Sequence, residues 1–253
     1  ATRSGDAFVT GKYQPWNLHR LNEETDPPTL EVKPLPGPGP ILSAAFSPDG
    51  RRLALATADR VRVVDSRTLE SAPGLDESDP ISAPSTISHV AFYGNDHLAV
   101  GWAHGLEKKS PGVMVYDLRE DAPPQRLVCK SPAILGGDVR SIFCDPERSL
   151  LIYGATPAGV LAAFRLEQDK WVESYSLDYG TGGWGTLRVR AMEGQREGYV
   201  SGMRPHYSSV IDLESGEMLM RQGAQGMSQL QGASEGRWLV GIRHGGLIVR
   251  ARR

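Results

Sequence analysis

The sequence predicts an all-β protein built from a repeated antiparallel unit, and three observations support this prediction. Runs that alternate apolar and polar residues, such as RRLALATAD at residues 51–59, recur along the chain, and such alternation is typical of half-buried strands. Turn sequences such as Pro-Asp-Gly and Asn-Asp separate these runs. The 253 residues include 29 glycines and 18 prolines, which favours many short strands over long helices.

The repeats can be followed in order along the chain. The clearest spans residues 41–65, where ILSAAF, a turn at SPDG, RRLALATAD and VRVVD predict three successive antiparallel strands. A second copy reads ISHVAFYGNDHLAVGWAHG and then VMVYDLRE, and a third reads DVRSIFCDPERSLLIYGATPAGVLAAFRLE. The fourth runs from GTLRVR to IDLESGE and has a looser first strand. The last, MSQLQGASEGRWLVGIRHGGLIVRARR, stops after its third strand.

The spacing of these copies indicates the architecture. The third strands align at positions that are 52, 48, 47 and 38 residues apart, namely Asp65, Asp117, Arg165, Asp212 and Arg250. Periods of about 40 to 50 residues are typical of β-propeller blades. The first strands of three copies carry phenylalanine at the same position, which predicts burial between neighbouring sheets for Phe46, Phe92 and Phe143.

These motifs resemble the WD-repeat β-propeller family, in which each blade is a four-stranded antiparallel sheet whose strands are lettered a to d from the central axis outward. The best match is SPDGRRLALATADRVRVVDSRT, with SPDG between strands a and b and Asp59 between b and c. No copy ends its third strand in Trp-Asp, and the family's buried polar network is represented in the clearest copy only by Thr57 and Asp59. The resemblance is specific for architecture and implies little about function, because the fold hosts many roles.

Residues 1–36 are interpreted as an incomplete first blade, and residues 37–253 as the propeller blades that follow. Residues 4–24 align with strands b and c of the clearest repeat and TLEVKPL with strand d, so the first blade lacks strand a and the last lacks strand d. About six blades are therefore represented. One arrangement is a five-bladed ring in which residues 29–36 form the outer strand of the last blade and residues 1–24 lie outside. The other is part of a larger ring, such as one of seven blades, completed by polypeptide before Ala1 that is another chain or was cleaved away. The close fit of residues 4–24 to a blade, and the cost of bare sheet edges, favour the larger ring.

Sequence motifs for catalysis are missing from the chain. It has no GxSxG, Walker or HExxH motif and no cysteine pair at zinc spacing, and none of its six histidines lies three to five residues from another. The glycine-rich GTGGWG at residues 180–185 precedes a strand, so it lacks the helix N-terminus that binds phosphate. We therefore expect a non-enzyme with no metal or cofactor. An enzyme or small-ligand binder that uses the central channel is the alternative, and it would need convergent polar residues on the strands a.

The charges of the turns differ between the two faces that a propeller presents. In this architecture the b-to-c turns share one face, and the a-to-b and c-to-d turns share the other. The b-to-c turns carry six basic and two acidic residues, six minus two or +4, whereas the opposite turns are rich in Asp and Glu. One interpretation is that these turns are charged only because they are solvated. The other, favoured because arginine and aromatic residues are enriched at interfaces, is a partner-binding face formed by Lys12, Trp16, Arg60, Trp102, Lys108, Lys109, Arg204, Tyr207, Arg243 and His244.

The predicted role is a non-catalytic protein-interaction or scaffold propeller, the C-terminal regulatory or docking part of a larger or cleaved protein. Its partner would be another protein with an acidic surface, or another chain that completes the propeller. The 28 basic and 30 acidic residues give a net charge of −2, which disfavours nucleic acid as a partner. No apolar stretch approaches the roughly 20 residues that span a bilayer, so no membrane partner is expected. Only two cysteines, Cys129 and Cys144, are present, and this suits a cytoplasmic protein.

Overall fold

A computed structural model gives the fold for a defined set of residues. These are residues 7–10, 16–22, 25–35, 40–71, 85–103, 111–119, 123–131, 137–156, 159–179, 188–191, 196–203, 206–222, 229–233, 238–243 and 246–251. They form twenty-one β-strands and no helix. None of them therefore belongs to a helix that could cross a membrane.

Two three-stranded antiparallel sheets come first in the chain. The first has the order β1 (Ala7–Thr10), β2 (Asn17–Asn22) and β3 (Thr29–Pro34). The second has the order β4 (Ser43–Phe46), β5 (Arg52–Ala56) and β6 (Val61–Asp65). The predicted SPDG turn joins β4 to β5, where Gly50 adopts a φ of 71° and the Ser47 amide donates to the Arg52 carbonyl at 2.9 Å. Glycine occupies such a left-handed position without steric cost, which is why the turn ends on it.

An eight-stranded sheet follows. Its strands are β7 (Thr86–Tyr93), β8 (His97–Ala103), β9 (Gly112–Asp117), β10 (Gln125–Val128), β11 (Asp138–Asp145), β12 (Leu150–Thr156), β13 (Val160–Glu167) and β14 (Lys170–Asp178). In the first four, β8 lies between β7 and β9 and β10 follows β9, while β11 to β14 pair in chain order. Among the described residues, the four strands β7–β10 and the four strands β11–β14 are joined by one pair between β8 and β11, Ala103 opposite Asp138. The eight strands thus correspond to two of the predicted four-stranded repeats.

The remaining strands form two further antiparallel sheets. One has the order β15 (Arg188–Ala191), β16 (Glu197–Met203), β17 (His206–Asp212) and β18 (Met218–Gln222). The other has the order β19 (Gln229–Ala233), β20 (Trp238–Arg243) and β21 (Gly246–Ala251). The aligned positions of the third repeat strand fall in β6, β9, β13, β17 and β21. The predicted all-β architecture of repeated antiparallel units is confirmed.

The chain divides into two compact units, Ala1–Trp102 with Met114–Arg126 and Ala103–Val113 with Leu127–Arg253. The first contains a core cluster of aliphatic residues from β5, β6, β7 and β8 around Phe92, which is 6% exposed. The second contains a cluster from β12, β13, β16 and β17. Of the three aligned phenylalanines, Phe92 is buried as expected, whereas Phe46 and Phe143 are half-buried and pack at the margins of their clusters.

Candidate functional site

The predicted binding face is only partly within the described residues. Outside them lie Lys12, Lys108, Lys109, Arg204 and His244. Tyr207 belongs to β17 and Arg243 ends β20. The side chains that the structure places in detail are Trp16, Arg60 and Trp102, and each has a different environment.

Arg60 lies in the turn between β5 and β6, where its side chain is held by its neighbours. The Thr57 amide donates to the Arg60 carbonyl at 2.9 Å and closes the turn. The Thr57 hydroxyl donates to Asp59 Oδ1 at 2.8 Å. Nε and Nη2 of Arg60 donate to Asp59 Oδ2 at 3.2 and 3.0 Å, so the guanidinium approaches the carboxylate side-on. The Arg60 side chain nevertheless remains 46% exposed.

The chemistry of this turn suits it to bind a carboxylate. The hydrogen bond from Thr57, and then the one from Arg60, lower the pKa of Asp59, which keeps that carboxylate ionised at neutral pH. A guanidinium has five N–H donors, and two of those of Arg60 are engaged with Asp59, which leaves three to bond other acceptors. Because Asp59 already orders the side chain, binding sacrifices less conformational freedom than it would with a free arginine. The sequence placed Asp59 in the b-to-c turn, grouped it with Thr57 as what is left of the family's polar network, and counted it as a charge opposing the basic face. Its role in positioning Arg60 was missed, although the adjacency of Thr57, Asp59 and Arg60 was visible.

Trp16 lies beside the first strand pair and contributes mainly to packing. Its ring is half-buried against a core cluster that includes Ile41, Leu53 and Val64. Its carbonyl accepts a hydrogen bond from the Leu35 amide at 2.9 Å, which ties the entry of β2 to the end of β3. The part of the indole that stays exposed is the only part that could contact a partner.

Trp102 corrects the sequence interpretation, which placed it on an exposed binding face. It is fully buried, with 0% of its surface exposed, and the Arg126 guanidinium lies 5.3 Å from the centroid of its ring. The reason is the position of β8 between β7 and β9, where five consecutive residues from Leu98 to Trp102 are buried. An inner strand covered on both faces leaves no solvent face for alternate residues. The cation–π contact stabilises the fold and leaves the ring unavailable to a partner.

The acidic residues that end the third strands form turns. Asp65 Oδ1 accepts the amides of Arg67 and Thr68 at 2.7 and 2.9 Å. Asp212 Oδ1 accepts those of Glu214 and Ser215 at 2.9 and 2.8 Å, while its Oδ2 pairs with Arg196. Asp117 accepts the Arg119 amide and side chain in the same way.

These contacts shift the pKa values of the carboxyl groups. The hydrogen bond from the Arg119 side chain lowers the pKa of Asp117 to about 2, and the bond from the Thr68 amide lowers that of Asp65. At Asp212 burial acts in the opposite direction, but hydrogen bonds from Ser215 and Arg196 still lower the pKa. Each carboxylate is ionised at neutral pH and serves its own turn. This part of the acidic surface is therefore structural.

The described part of the chain offers little for metal or thiol chemistry. There, no three His, Cys, Asp or Glu side chains come together as metal ligands would. Cys129 is buried, and burial together with Glu173 raises its pKa to about 11. A thiol with that pKa is protonated at neutral pH and is a poor nucleophile. Its amide donates to the Tyr153 hydroxyl at 2.8 Å, so the residue helps to anchor the end of β10.

Comparison with known proteins identifies the fold. No protein-family model and no curated protein sequence matches the chain. The β-propeller domain of Cps50 (Swd1) from Myceliophteria thermophila is similar, with a TM-score of 0.68 and 16% identity over 99% of this chain and 80% of that one. Sqt1 from Chaetomium thermophilum, solved bound to the N-terminus of the ribosomal protein L10, gives a TM-score of 0.69 and 17% identity over 97% and 67%. The chain thus has the fold of the WD-repeat β-propellers, and the resemblance predicted from its motifs is confirmed at that level.

Proposed function

We propose that this chain is a non-catalytic protein-interaction propeller whose b-to-c turns bind acidic side chains of a partner protein. The observation that carries the proposal is the exposed, preorganised guanidinium of Arg60, held side-on by Asp59. Such a group matches the geometry of a carboxylate. Because the Arg60–Asp59 pair has no net charge, Arg60 acts at short range, and the long-range attraction comes from the other basic residues predicted for this face.

The likeness to Sqt1 supports a protein partner. That protein was solved bound to the N-terminus of a ribosomal protein, so a propeller of this fold can hold a protein segment. For this chain the proposed contacts are Arg60 in the first unit and, independently, Arg204 and Arg243 in the second. The exposed part of Trp16 supplies a further, apolar contact in the first unit.

Charge reversal tests the proposal with a defined probe, a fluorescent peptide rich in Glu and Asp with interspersed Leu. We expect R60E/R204E/R243E to weaken binding at least about tenfold, mainly by slowing association and reducing its salt dependence. The matched control R51E/R67E/K170E changes the net charge equally but alters exposed residues of the opposite turns. It should bind within about twofold of wild type. Equal binding of wild type and R60E/R204E/R243E at low salt would overturn the proposal, as would a single-stranded oligonucleotide that binds more tightly than the peptide.

A second variant separates positioning from simple charge. Asp59→Asn keeps the size of the side chain but removes the charged acceptor that orders Arg60, and it makes the net charge more positive by one. Simple attraction to an acidic peptide predicts tighter binding, whereas loss of a preorganised guanidinium predicts binding about threefold weaker or more. Tighter binding by Asp59→Asn would therefore contradict the positioning role while leaving a basic binding face intact.

A further inference from the structure

The outer edge of β3 presents backbone groups for pairing. The Leu35 amide donates to the Trp16 carbonyl at 2.9 Å, which makes residues 35 and 16 a hydrogen-bonded pair. The register continues with Lys33 opposite Leu18 and Glu31 opposite Arg20, so these odd-numbered residues of β3 also bond to β2. The amides and carbonyls of Leu30 and Val32 consequently point away from β2.

Pro34 is consistent with this arrangement. It belongs to the same outward-pointing set, so its missing N–H removes no bond from the β2–β3 ladder. Within the described residues, β3 is the outermost strand of its sheet and pairs with β2. Its outward groups are therefore two amides, at Leu30 and Val32, and three carbonyls that can accept a bond, at Leu30, Val32 and Pro34.

The side chains of this edge are exposed and arranged by type. Leu30 and Val32 are each 50% exposed, and Leu21, directly opposite Leu30, is 39% exposed. Because opposed residues and alternate residues share a sheet face, these three form one apolar row. On the other face Lys33 Nζ lies 3.0 Å from Glu31 Oε1, and both side chains are nearly half exposed. The strand thus carries an apolar face and a face with one charge of each sign.

We propose that β3 pairs antiparallel with β3 of a second copy of this chain. The two-fold axis passes between the strands, midway between the two Val32 residues, so that Val32 lies opposite Val32. In that register Glu31 of each copy faces Lys33 of the other copy. The Val32 amide of each copy bonds to the Val32 carbonyl of the other, and the Leu30 amide bonds to the Pro34 carbonyl, each reciprocally. The apolar rows of the two copies join into one patch.

Charge selects both the partner and the register. If the register shifted so that the axis passed between the two Glu31 residues, their side chains would lie opposite each other. Like charges in directly opposed positions are destabilising. The strand is therefore complementary to itself in the Val32-centred register. The pairing is short, well below the roughly 1,600 Å² of a standard interface, so the dimer should be weak and in rapid exchange. This inference does not depend on the proposed function of the b-to-c turns.

Analytical ultracentrifugation of the full chain over a range of concentrations tests the pairing. We expect a reversible monomer–dimer equilibrium for the wild type. E31K and K33E should each raise the dimer dissociation constant about tenfold or more, because each places like charges opposite each other twice. An equimolar mixture of E31K and K33E should recover a heterodimer of near wild-type affinity. The double variant E31K/K33E should recover the homodimer.

Val32→Pro tests the backbone contribution without touching the β2 ladder. Its lost N–H points outward, so the variant should abolish dimerisation while its thermal midpoint stays within a few degrees of wild type. A wild-type chain that stays monomeric up to about millimolar concentration, a range in which even weak edge pairing is populated, would overturn the proposal. So would E31K or K33E chains that dimerise as well as wild type, or a mixture of the two that dimerises no better than either alone.

Discussion

Two c-to-d turns, one in each compact unit, have the same hydrogen bonds but different sequences. Residues 65–70 read DSRTLE and residues 212–217 read DLESGE. In both, the amide of the first Asp donates to the carbonyl of the last Glu, and the amide of the fifth residue donates to the carbonyl of that Asp, all at 2.9 Å. The fifth residue is left-handed in both, with φ of 64° at Leu69 and 75° at Gly216. The first Asp and the left-handed fifth residue therefore define the turn.

The difference between the turns lies in what their fifth residue meets. The Leu69 side chain packs against the core cluster of β5 and β6. At Gly216 there is no room for a side chain, because a Cβ atom would lie 2.5 Å from the Tyr175 ring of β14. The hydroxyl of Tyr175 donates to the Leu213 carbonyl at 3.0 Å, which holds the ring in that place. In the first turn the side chain of the fifth residue, Leu69, occupies the space beside the turn. In the second turn the ring of Tyr175, from β14, occupies that space instead.

A third c-to-d turn shows what happens without the aspartate. At the aligned position β13 has Arg165, and a two-residue turn at Gln168 and Asp169, with φ of 48° and 62°, joins it to β14. Two consecutive positive φ angles are typical of the tight hairpin turns that match strand twist. The Arg165 side chain instead donates to the Glu214 carbonyl at 3.1 Å. Loss of the aspartate cap thus accompanies a shorter turn.

The largest expected effect is at Gly216. Gly216→Ala combines left-handed strain with overlap of the Tyr175 ring and should lower the free energy of unfolding by about 2–4 kcal/mol. Gly94→Ala is the matched control, because Gly94 has a φ of 64° but a methyl group added there would have nothing within 4 Å. It should cost only about 1 kcal/mol, the strain alone. Denaturant titration measures both, and equal losses would show that Tyr175 is not what makes Gly216 necessary.

The next effect concerns the aspartate caps. Asp212→Ala removes the acceptor for two amides and the ion pair with Arg196, and should cost about 2 kcal/mol. Asp65→Ala removes the two corresponding hydrogen bonds, from the amides of Arg67 and Thr68, and should cost about 1 kcal/mol. The Asn variants keep a neutral acceptor and should recover at least half of each loss. If both Ala variants unfold at the wild-type denaturant midpoint, the caps do not stabilise these turns.

A smaller effect appears in the dependence of stability on pH. The pKa of Asp117 is lowered in the folded chain from 3.8 to about 2, so its ionised form is favoured by folding. Its contribution is present above pH 4 and is lost as the pH falls from about 4 to 2. Asp117→Asn should therefore unfold with a shallower loss of stability over that range than wild type. Identical slopes for the two proteins would exclude the Asp117–Arg119 contact as a stabilising interaction.

The smallest effect is expected at Leu69. Leu69→Gly relieves left-handed strain of about 1 kcal/mol but loses partly buried aliphatic contacts of similar size, so the net change should lie within about 1 kcal/mol of zero. Chemical denaturation gives the value. A loss as large as that of Gly216→Ala would mean that packing at this position, rather than backbone conformation, determines the turn.

The sequence was informative about features that depend on local pattern. Alternation and turn residues located the repeats from residue 41 onward, because strands and hairpins are determined by neighbours in sequence. The predicted exposure of Trp102 was wrong, because alternation of residue types does not show that an inner strand is covered on both faces. The requirement for glycine at Gly216 comes from Tyr175, 41 residues earlier, and no local signal carries such a contact. At the site, the exposure of Arg60 was expected from its place in a turn. The fixed orientation of its guanidinium depends on the hydrogen bonds to Asp59, whose geometry the sequence does not specify.

The most direct test of the proposed function is to map the acidic probe peptide onto the chain by amide chemical-shift perturbation in NMR. We expect shifts concentrated in the b-to-c turn at residues 57–61, with the largest at Arg60. Little change is expected in the c-to-d turns at residues 65–70 and 212–217, because their carboxylates are engaged in their own hydrogen bonds. Perturbations centred on those c-to-d turns, with the turn at residues 57–61 unaffected, would contradict the proposed binding face.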